Sequence, residues 1–180
     1  MNELPFEIRR DQPGDEDAIR DVTSMAFETS ELGHNGEAGL VEKLRAEGAA
    51  SISLVALCGD RIVGHILFSP ATIEWTGRRC HGLGLAPVSV LPEFQRRGIG
   101  ARLVEAGLET AMTMPAEFVI VLGHPDYYPR FGFAPASLSN IVCEFNDVPD
   151  EAFLIRWRSE PASTEGSGIA KYHPAFCSFE

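Results

Sequence analysis

The chain has 180 residues, of which 44% are hydrophobic, 23% charged and 9% aromatic. That balance suits a chain able to bury a core and excludes collagen-like, low-complexity and wholly disordered readings. With 15 Lys and Arg against 26 Asp and Glu the formal charge is −11, which argues against a general nucleic-acid binder, because affinity for a phosphate backbone rests on cationic side chains.

Phe6–Arg10 alternates in polarity and reads as a first strand. Asp15, or the acids after it, can cap a helix running to about Phe27 that sets Ala18, Ile19, Val22 and Ala26 on one face. A second helix is predicted over Glu37–Glu47, where Leu40, Val41 and Leu44 recur at helical spacing and Gly48 follows. Ile52–Leu57 and Arg61–Phe68 flank Gly59-Asp60 and read as a hairpin; Ala71–Trp75 either continues its second strand or forms an extension. A strand over Leu83–Leu91, with Pro87 marking a bulge, leads into a helix over Gly98–Met114 that Pro115 ends. Phe118–Leu122 follows as a short apolar strand, so strand, helix and strand argue a parallel pair joined by a right-handed crossover. Asp126–Phe131 has room for one or two helical turns closed by Gly132, with Asp126 as N-cap and Pro129 at the third helical position. Ile141–Phe145 and Phe153–Arg158 are predicted as the final strands, residues 161–168 as a loop, and the aromatic residues of the 172–179 end are expected to dock. No repeat or linker interrupts the chain, so one domain over 1–180 is expected.

Charges break every apolar run near the N-terminus, and no later stretch approaches the ~18 apolar residues of a membrane span. The cysteines at 58, 80, 143 and 177 form no Cys-x-x-Cys pair and suggest neither a zinc site nor a disulfide framework. The expectation is a reduced, cytoplasmic protein with no metal, no membrane and no nucleic-acid partner. Charge is unevenly spread: residues 1–60 hold 5 cationic and 13 anionic side chains, whereas residues 78–102 hold Arg78, Arg79, Arg96, Arg97 and Arg102 against Glu93 alone. A local anion site within an acidic chain is one reading of that cluster; a solvated face is the other.

The segment Val88-Ser-Val-Leu-Pro-Glu-Phe-Gln-Arg-Arg-Gly-Ile-Gly-Ala-Arg-Leu103 carries the chemistry. A strand ends, a tight turn follows, and Gly98 and Gly100 open a helix whose first amides lack intrahelical acceptors, an arrangement suited to a diphosphate. There is no Gly-x-x-x-x-Gly-Lys-Ser/Thr for a nucleoside triphosphate and no Gly-x-Gly-x-x-Gly for a dinucleotide.

At Val90-Leu-Pro92 and Gln95-Arg-Arg-Gly98-Ile-Gly100 the chain closely resembles the GNAT superfamily of acetyl-CoA-dependent N-acetyltransferases, and Tyr127-Tyr128-Pro-Arg-Phe-Gly132-Phe133 resembles that family's second block. The Gly168–Phe179 end looks like a subgroup of uncharacterised bacterial-type members. The resemblance implies an α+β fold with a mixed, mostly antiparallel sheet, a splayed parallel pair (strands 83–91 and 118–122) and helices on both faces. It further implies acceptor-side helices at about 15–47, an acetyl-CoA-binding core at about 83–133 and C-terminal strands over 137–180. Backbone groups around Val88 and Val90 would pair with the pantetheine arm. The amides of Gln95, Arg96, Arg97, Gly98, Ile99, Gly100 and Ala101 would hold the diphosphate, assisted by the Arg96 or Arg97 side chain, with Arg102 facing away. Tyr128 would be the general acid that protonates the departing thiolate.

Leu83–Leu91 has no acidic residue, so the general base stays open among Glu31, His34, Glu37, His81 and Ser89 acting through water. His65, His124 and His173 have no partner that the sequence names. The acidic first third points to a cationic amine, polyamine, aminoglycoside-like molecule or basic peptide end as acceptor, or serves solubility only. The activity expected is N-acetylation by direct attack in a ternary complex. The alternative is a non-catalytic acyl-CoA sensor or interaction module, as a monomer or homodimer.

Overall fold

The computed structural model describes residues 5–28, 36–159 and 166–178. They form nine strands and three helices: β1 Glu7–Arg10, α1 Glu16–Glu28, α2 Glu37–Ala46, β2 Ile52–Cys58, β3 Arg61–Trp75, β4 Arg78–Val90, α3 Ile99–Met112, β5 Phe118–Leu122, β6 Ala134–Pro135, β7 Ile141–Cys143, β8 Phe153–Trp157 and β9 Gly168–Lys171. Five short 3-10 turns connect them. Hydrogen bonding gives the strand order β1-β2-β3-β4-β5-β8-β6, with β9 on β3 and β7 on β9. Among the described residues no helix is long and apolar enough to cross a membrane.

The chain divides into two compact units that interleave in sequence. The first comprises Met1–Phe68, Pro87–Thr110 and Pro174–Glu180. In it β2 pairs antiparallel with β1 and with β3, through Val55↔Arg9 and Val55↔His65. Ile52 to Ala56 are all buried, so both faces of β2 are covered and the apolar run carries no alternation. On α1 the stripe Ile19, Val22, Thr23 and Ala26 is buried, and on α2 Leu40, Val41 and Leu44. α3 seats closely on β3 because two glycines permit it: a Cβ on Gly64 would lie 3.0 Å from Leu103 Cδ1, and one on Gly107 2.7 Å from Phe68 Cζ. Each large apolar side chain fully buried here contributes ~1.5–3 kcal/mol.

The second unit comprises Ser69–Ala86 and Ala111–His173. Within it β4 and β5 pair in parallel over a short stretch, Leu83↔Val119 and Gly84↔Ile120, while β5 pairs antiparallel with β8 along its whole length. The expected parallel pair therefore exists, and the mixed, mostly antiparallel sheet is that of the expected α+β fold.

Several boundaries differ from the sequence reading. β4 begins at Arg78, not Leu83, because the exposed Arg78, Arg79 and His81 alternate with buried Cys80 and Gly82, a strand pattern disguised by charge. β3 runs unbroken to Trp75, so Ala71–Trp75 continues the strand. α2 ends at Ala46, with Glu47 as its C-cap, and α3 spans Ile99–Met112 rather than 98–114. The turn before Gly132 is a 3-10 turn over Tyr128–Phe131 capped by Tyr127, not Asp126, which places Pro129 at its second position, where a missing N–H costs nothing. β7 and β8 stop at Cys143 and Trp157. The C-terminal strands start at β6, before residue 137, and β6 and β9 were not foreseen. Tyr172 is buried as expected of a docked end, whereas Phe179, Glu31 and His34 lie outside the described residues.

Candidate acetyl-donor site and acceptor cavity

The end of β4 in the first unit alternates. Ser89 is buried, and Val88 and Val90 lie half-buried on the opposite face. Leu91 N–H donates to Val63 O at 2.9 Å, which ties this end to β3. Pro92–Phe94 then make one 3-10 turn, with Phe94 N–H on Leu91 O at 2.8 Å. Gln95 braces the turn twice: its amide donates to Pro92 O at 3.3 Å and its Nε2 to Val90 O at 3.0 Å.

Two positive φ angles follow, 59° at Arg96 and 82° at Gly98. Glycine adopts such a φ freely; an arginine there costs of order 1 kcal/mol and marks a turn that the surroundings impose. The first intrahelical amide of α3 is that of Arg102, which donates to Gly98 O at 3.0 Å. The amides of Ile99, Gly100 and Ala101 precede it and have no acceptor within the helix. A Cβ built on Gly98 would meet nothing within 4 Å, so the main chain there faces open space. Amides without helical acceptors, the positive end of a helix and an unobstructed backbone at Gly98 are the features a diphosphate requires.

Arg102 pairs with Glu105 at 2.6 Å along α3, while Arg96 and Arg97 are exposed at the turn. Arg97 Cζ lies 5.7 Å and Arg61 Cζ 5.5 Å from the centroid of the Phe94 ring.

A second feature of the first unit was not legible in the sequence. Thr23, Ser24, Phe27 and Glu28 of α1 and Glu37 and Ala38 of α2 line a cavity of about 310 Å³. One carboxylate oxygen of Glu37 is buried. Thr23 Oγ1 also lies 3.4 Å from Ser89 Oγ, so the wall of this cavity touches β4 between Val88 and Val90. The available signal was a polar residue, Thr23, on the otherwise apolar stripe of α1. Thr23 Oγ1 donates to Ile19 O at 2.8 Å, and Ser89 Oγ has two partners at 3.4 Å, His65 O and Thr23 Oγ1. His65 is fully buried, with Nε2 3.0 Å from Ser53 Oγ, a partner the sequence did not name. Burial, reinforced by the Arg45 charge, lowers its pKa to about 3 and keeps the ring neutral.

In the second unit Tyr128 is buried, its ring edge-on to Tyr127, Phe131 and Phe133 with centroids 5.1, 6.4 and 5.7 Å away. Burial, and then the neighbouring Tyr127, push its pKa well above the usual phenol value, so the hydroxyl holds its proton at neutral pH. His81 is exposed, and its amide donates to Glu117 Oε1 at 3.1 Å. Among the described residues no group of His, Cys, Asp and Glu is arranged to hold a metal ion.

The family model described as an acetyltransferase (GNAT) domain matches residues 7–136. The uncharacterized N-acetyltransferase YjhQ of Escherichia coli is 42% identical over 123 residues, covering 66% of this chain and 64% of that protein. The uncharacterized N-acetyltransferase YhbS of Escherichia coli is 29% identical over 173 residues, covering 96% of this chain and 99% of that protein. The crystal structure of YhbS in complex with CoA superposes with a TM-score of 0.84, at 28% identity over 98% of this chain and 94% of that one. A GNAT family acetyltransferase from Brucella melitensis, in complex with acetyl-CoA, gives 0.79 at 34% identity over 96% and 99%. With a helix-opening glycine turn where this family carries its signature, and a family match over most of its length, the chain belongs to the GNAT acetyltransferases.

Proposed function

We propose that this protein moves the acetyl group of acetyl-CoA to a primary amine of a small cationic molecule or basic peptide end. The observation that carries the acceptor side is the acidic cavity whose wall, through Thr23, reaches Ser89 on the strand assigned to the donor. Ile99, Gly100 and Ala101 would present their amides to the diphosphate, with the Arg96 or Arg97 side chain adding charge and Gln95 holding the turn in shape. The backbone at Val88 and Val90 would pair with the pantetheine arm as an added strand does, and an amide there would polarise the thioester carbonyl. Acetyl-CoA supplies the activated acyl group.

Of the candidate bases in the described residues, Glu37 lines the cavity, His81 lies exposed in the other unit, and Ser89 is enclosed between Thr23 and the His65 carbonyl. Glu37, with Glu28 beside it, holds the ammonium group and accepts the proton released as the amine attacks. Tyr128 keeps its proton until the sulfur carries charge and then donates it to the thiolate.

Thiol release from acetyl-CoA, followed across primary amines and matched neutral alcohols, tests this reading. Turnover is expected with amines alone, weakening as salt rises, because screening acts on the attraction of a cation to the acidic cavity. Glu37→Gln should lower kcat, as loss of a general base does, raise the amine KM about tenfold, roughly 1.4 kcal/mol, and leave the acetyl-CoA KM unchanged. Binding of acetyl-CoA without release of thiol to any amine would overturn the reading in favour of a sensor.

A further inference from the structure

Resting on acetyl-CoA as the donor, we infer that Arg61, Phe94 and Arg97 form a second anion site that takes the ribose 3′-phosphate of CoA and sets a preference for CoA over its dephosphorylated form. Phe94, in the turn between β4 and α3, carries two guanidinium groups against its ring, Arg61 at 5.5 Å and Arg97 at 5.7 Å from the centroid. One comes from the first residue of β3 and the other from the turn itself, so residues far apart in sequence converge on one ring. Two like charges gathered this way repel each other, and the ring quadrupole compensates them only in part. Among the described residues a single carboxylate answers them: Glu93 accepts from Arg61 Nη2 at 2.8 Å. Arg96 adds a further exposed cation next to Arg97, and no ion pair to Arg96 or Arg97 is found among the described residues.

The amides at the head of α3 suffice for the two single charges of the diphosphate. The nucleoside end of CoA carries, one ribose away, a phosphate monoester with close to two negative charges at neutral pH. Guanidinium groups suit such a group because their planar forks donate two parallel hydrogen bonds to its oxygens. Stacking on Phe94 restricts both side chains, so less freedom is lost when the anion arrives. Arg61 keeps donors beyond the one spent on Glu93, and Glu93 competes with the incoming phosphate for it.

Calorimetric titration of the full chain with CoA and with dephospho-CoA tests the inference. The expected result is CoA bound at least tenfold more tightly. Arg61→Ala should reduce that ratio threefold or more while dephospho-CoA binds as before, and Phe94→Leu should act in the same direction. Glu93→Gln should raise the ratio, since it releases Arg61 from its carboxylate, an outcome that general damage to the turn does not produce. Thermal melting checks that each variant is folded. Equal affinities for the two ligands in the unaltered protein, or a ratio indifferent to Arg61→Ala, overturn the site while acetyl-CoA remains the donor. Failure of both ligands to bind overturns the donor assignment as well.

Discussion

Tyr128 shares its place with Gly123: a Cβ on Gly123 would run into the Tyr128 ring, so the glycine is the gap into which the phenol folds. The three neighbouring rings hold it edge-on, and burial makes its ionisation costly. Phenylalanine fits the same slot and removes only the hydroxyl. Tyr128→Phe should leave the melting temperature and acetyl-CoA affinity nearly unchanged and lower kcat by roughly 10²–10⁴-fold, the range of general acid catalysis, when both substrates saturate. Undiminished kcat would remove Tyr128 from the mechanism. The candidate tyrosine was legible from its distance to Gly132 within a family block. The role of Gly123 was not, because nothing in the sequence distinguishes a glycine that turns the chain from one that admits a ring folding back from the turn that follows it.

The element proposed as the donor site is the junction of β4 and α3. Its geometry is written locally: Pro92 opens a turn, Arg96 and Gly98 take positive φ, and the helical period starts at Ile99. Gly98→Ala separates conformation from occupancy there. A Cβ meets no protein atom, so folding loses only the strain of alanine at φ 82°, of order 1 kcal/mol. The same methyl projects into the space assigned to the diphosphate. Acetyl-CoA affinity measured by titration should therefore fall tenfold or more, and affinity equal to that of the unaltered protein would place the diphosphate elsewhere. Elements governed by such local patterns, α1, α3 and β5, were read from sequence to within two residues. Those governed by distant partners were not. β9 is a strand because Thr72–Glu74 and Ile141–Cys143 flank it, and the charged start of β4 looks like a loop in isolation. The cavity proposed for the acceptor was not traced to its lining residues for the same reason, since Thr23 and Glu37 meet only when α1 packs on α2.

At the scale of the molecule, the pattern of buried polar groups fixes how stability responds to acid. His65 sits in the middle of β3 with Nε2 on Ser53 and Nδ1 buried without a hydrogen-bond partner among the described residues, so the folded protein refuses a proton there until pH about 3. The unfolded chain accepts it near the ordinary histidine value, about 6.5. Between those limits the unfolded state binds more protons, so stability is fully present above pH 6.5 and drains away as pH falls toward 3. The limiting slope is about 1.4 kcal/mol per pH unit for one proton. Asp15 acts lower on the scale. Its carboxylate, held by the Arg9 guanidinium at 2.7 Å and the Gln12 amide at 2.7 Å, has a depressed pKa, so its contribution is lost only below the usual carboxylate range. Chemical denaturation of the unaltered protein from pH 7 down to 4 should therefore show stability falling across a range in which Asp15 stays paired. His65→Gln keeps a hydrogen-bonding group toward Ser53 and removes the titration. Carboxylates titrate alike in both proteins, so the difference between the two curves isolates the imidazole. The variant should start less stable at pH 7 and converge on the unaltered protein as the medium acidifies, and parallel curves over that interval would show that His65 takes up its proton in the folded state as readily as in the unfolded one.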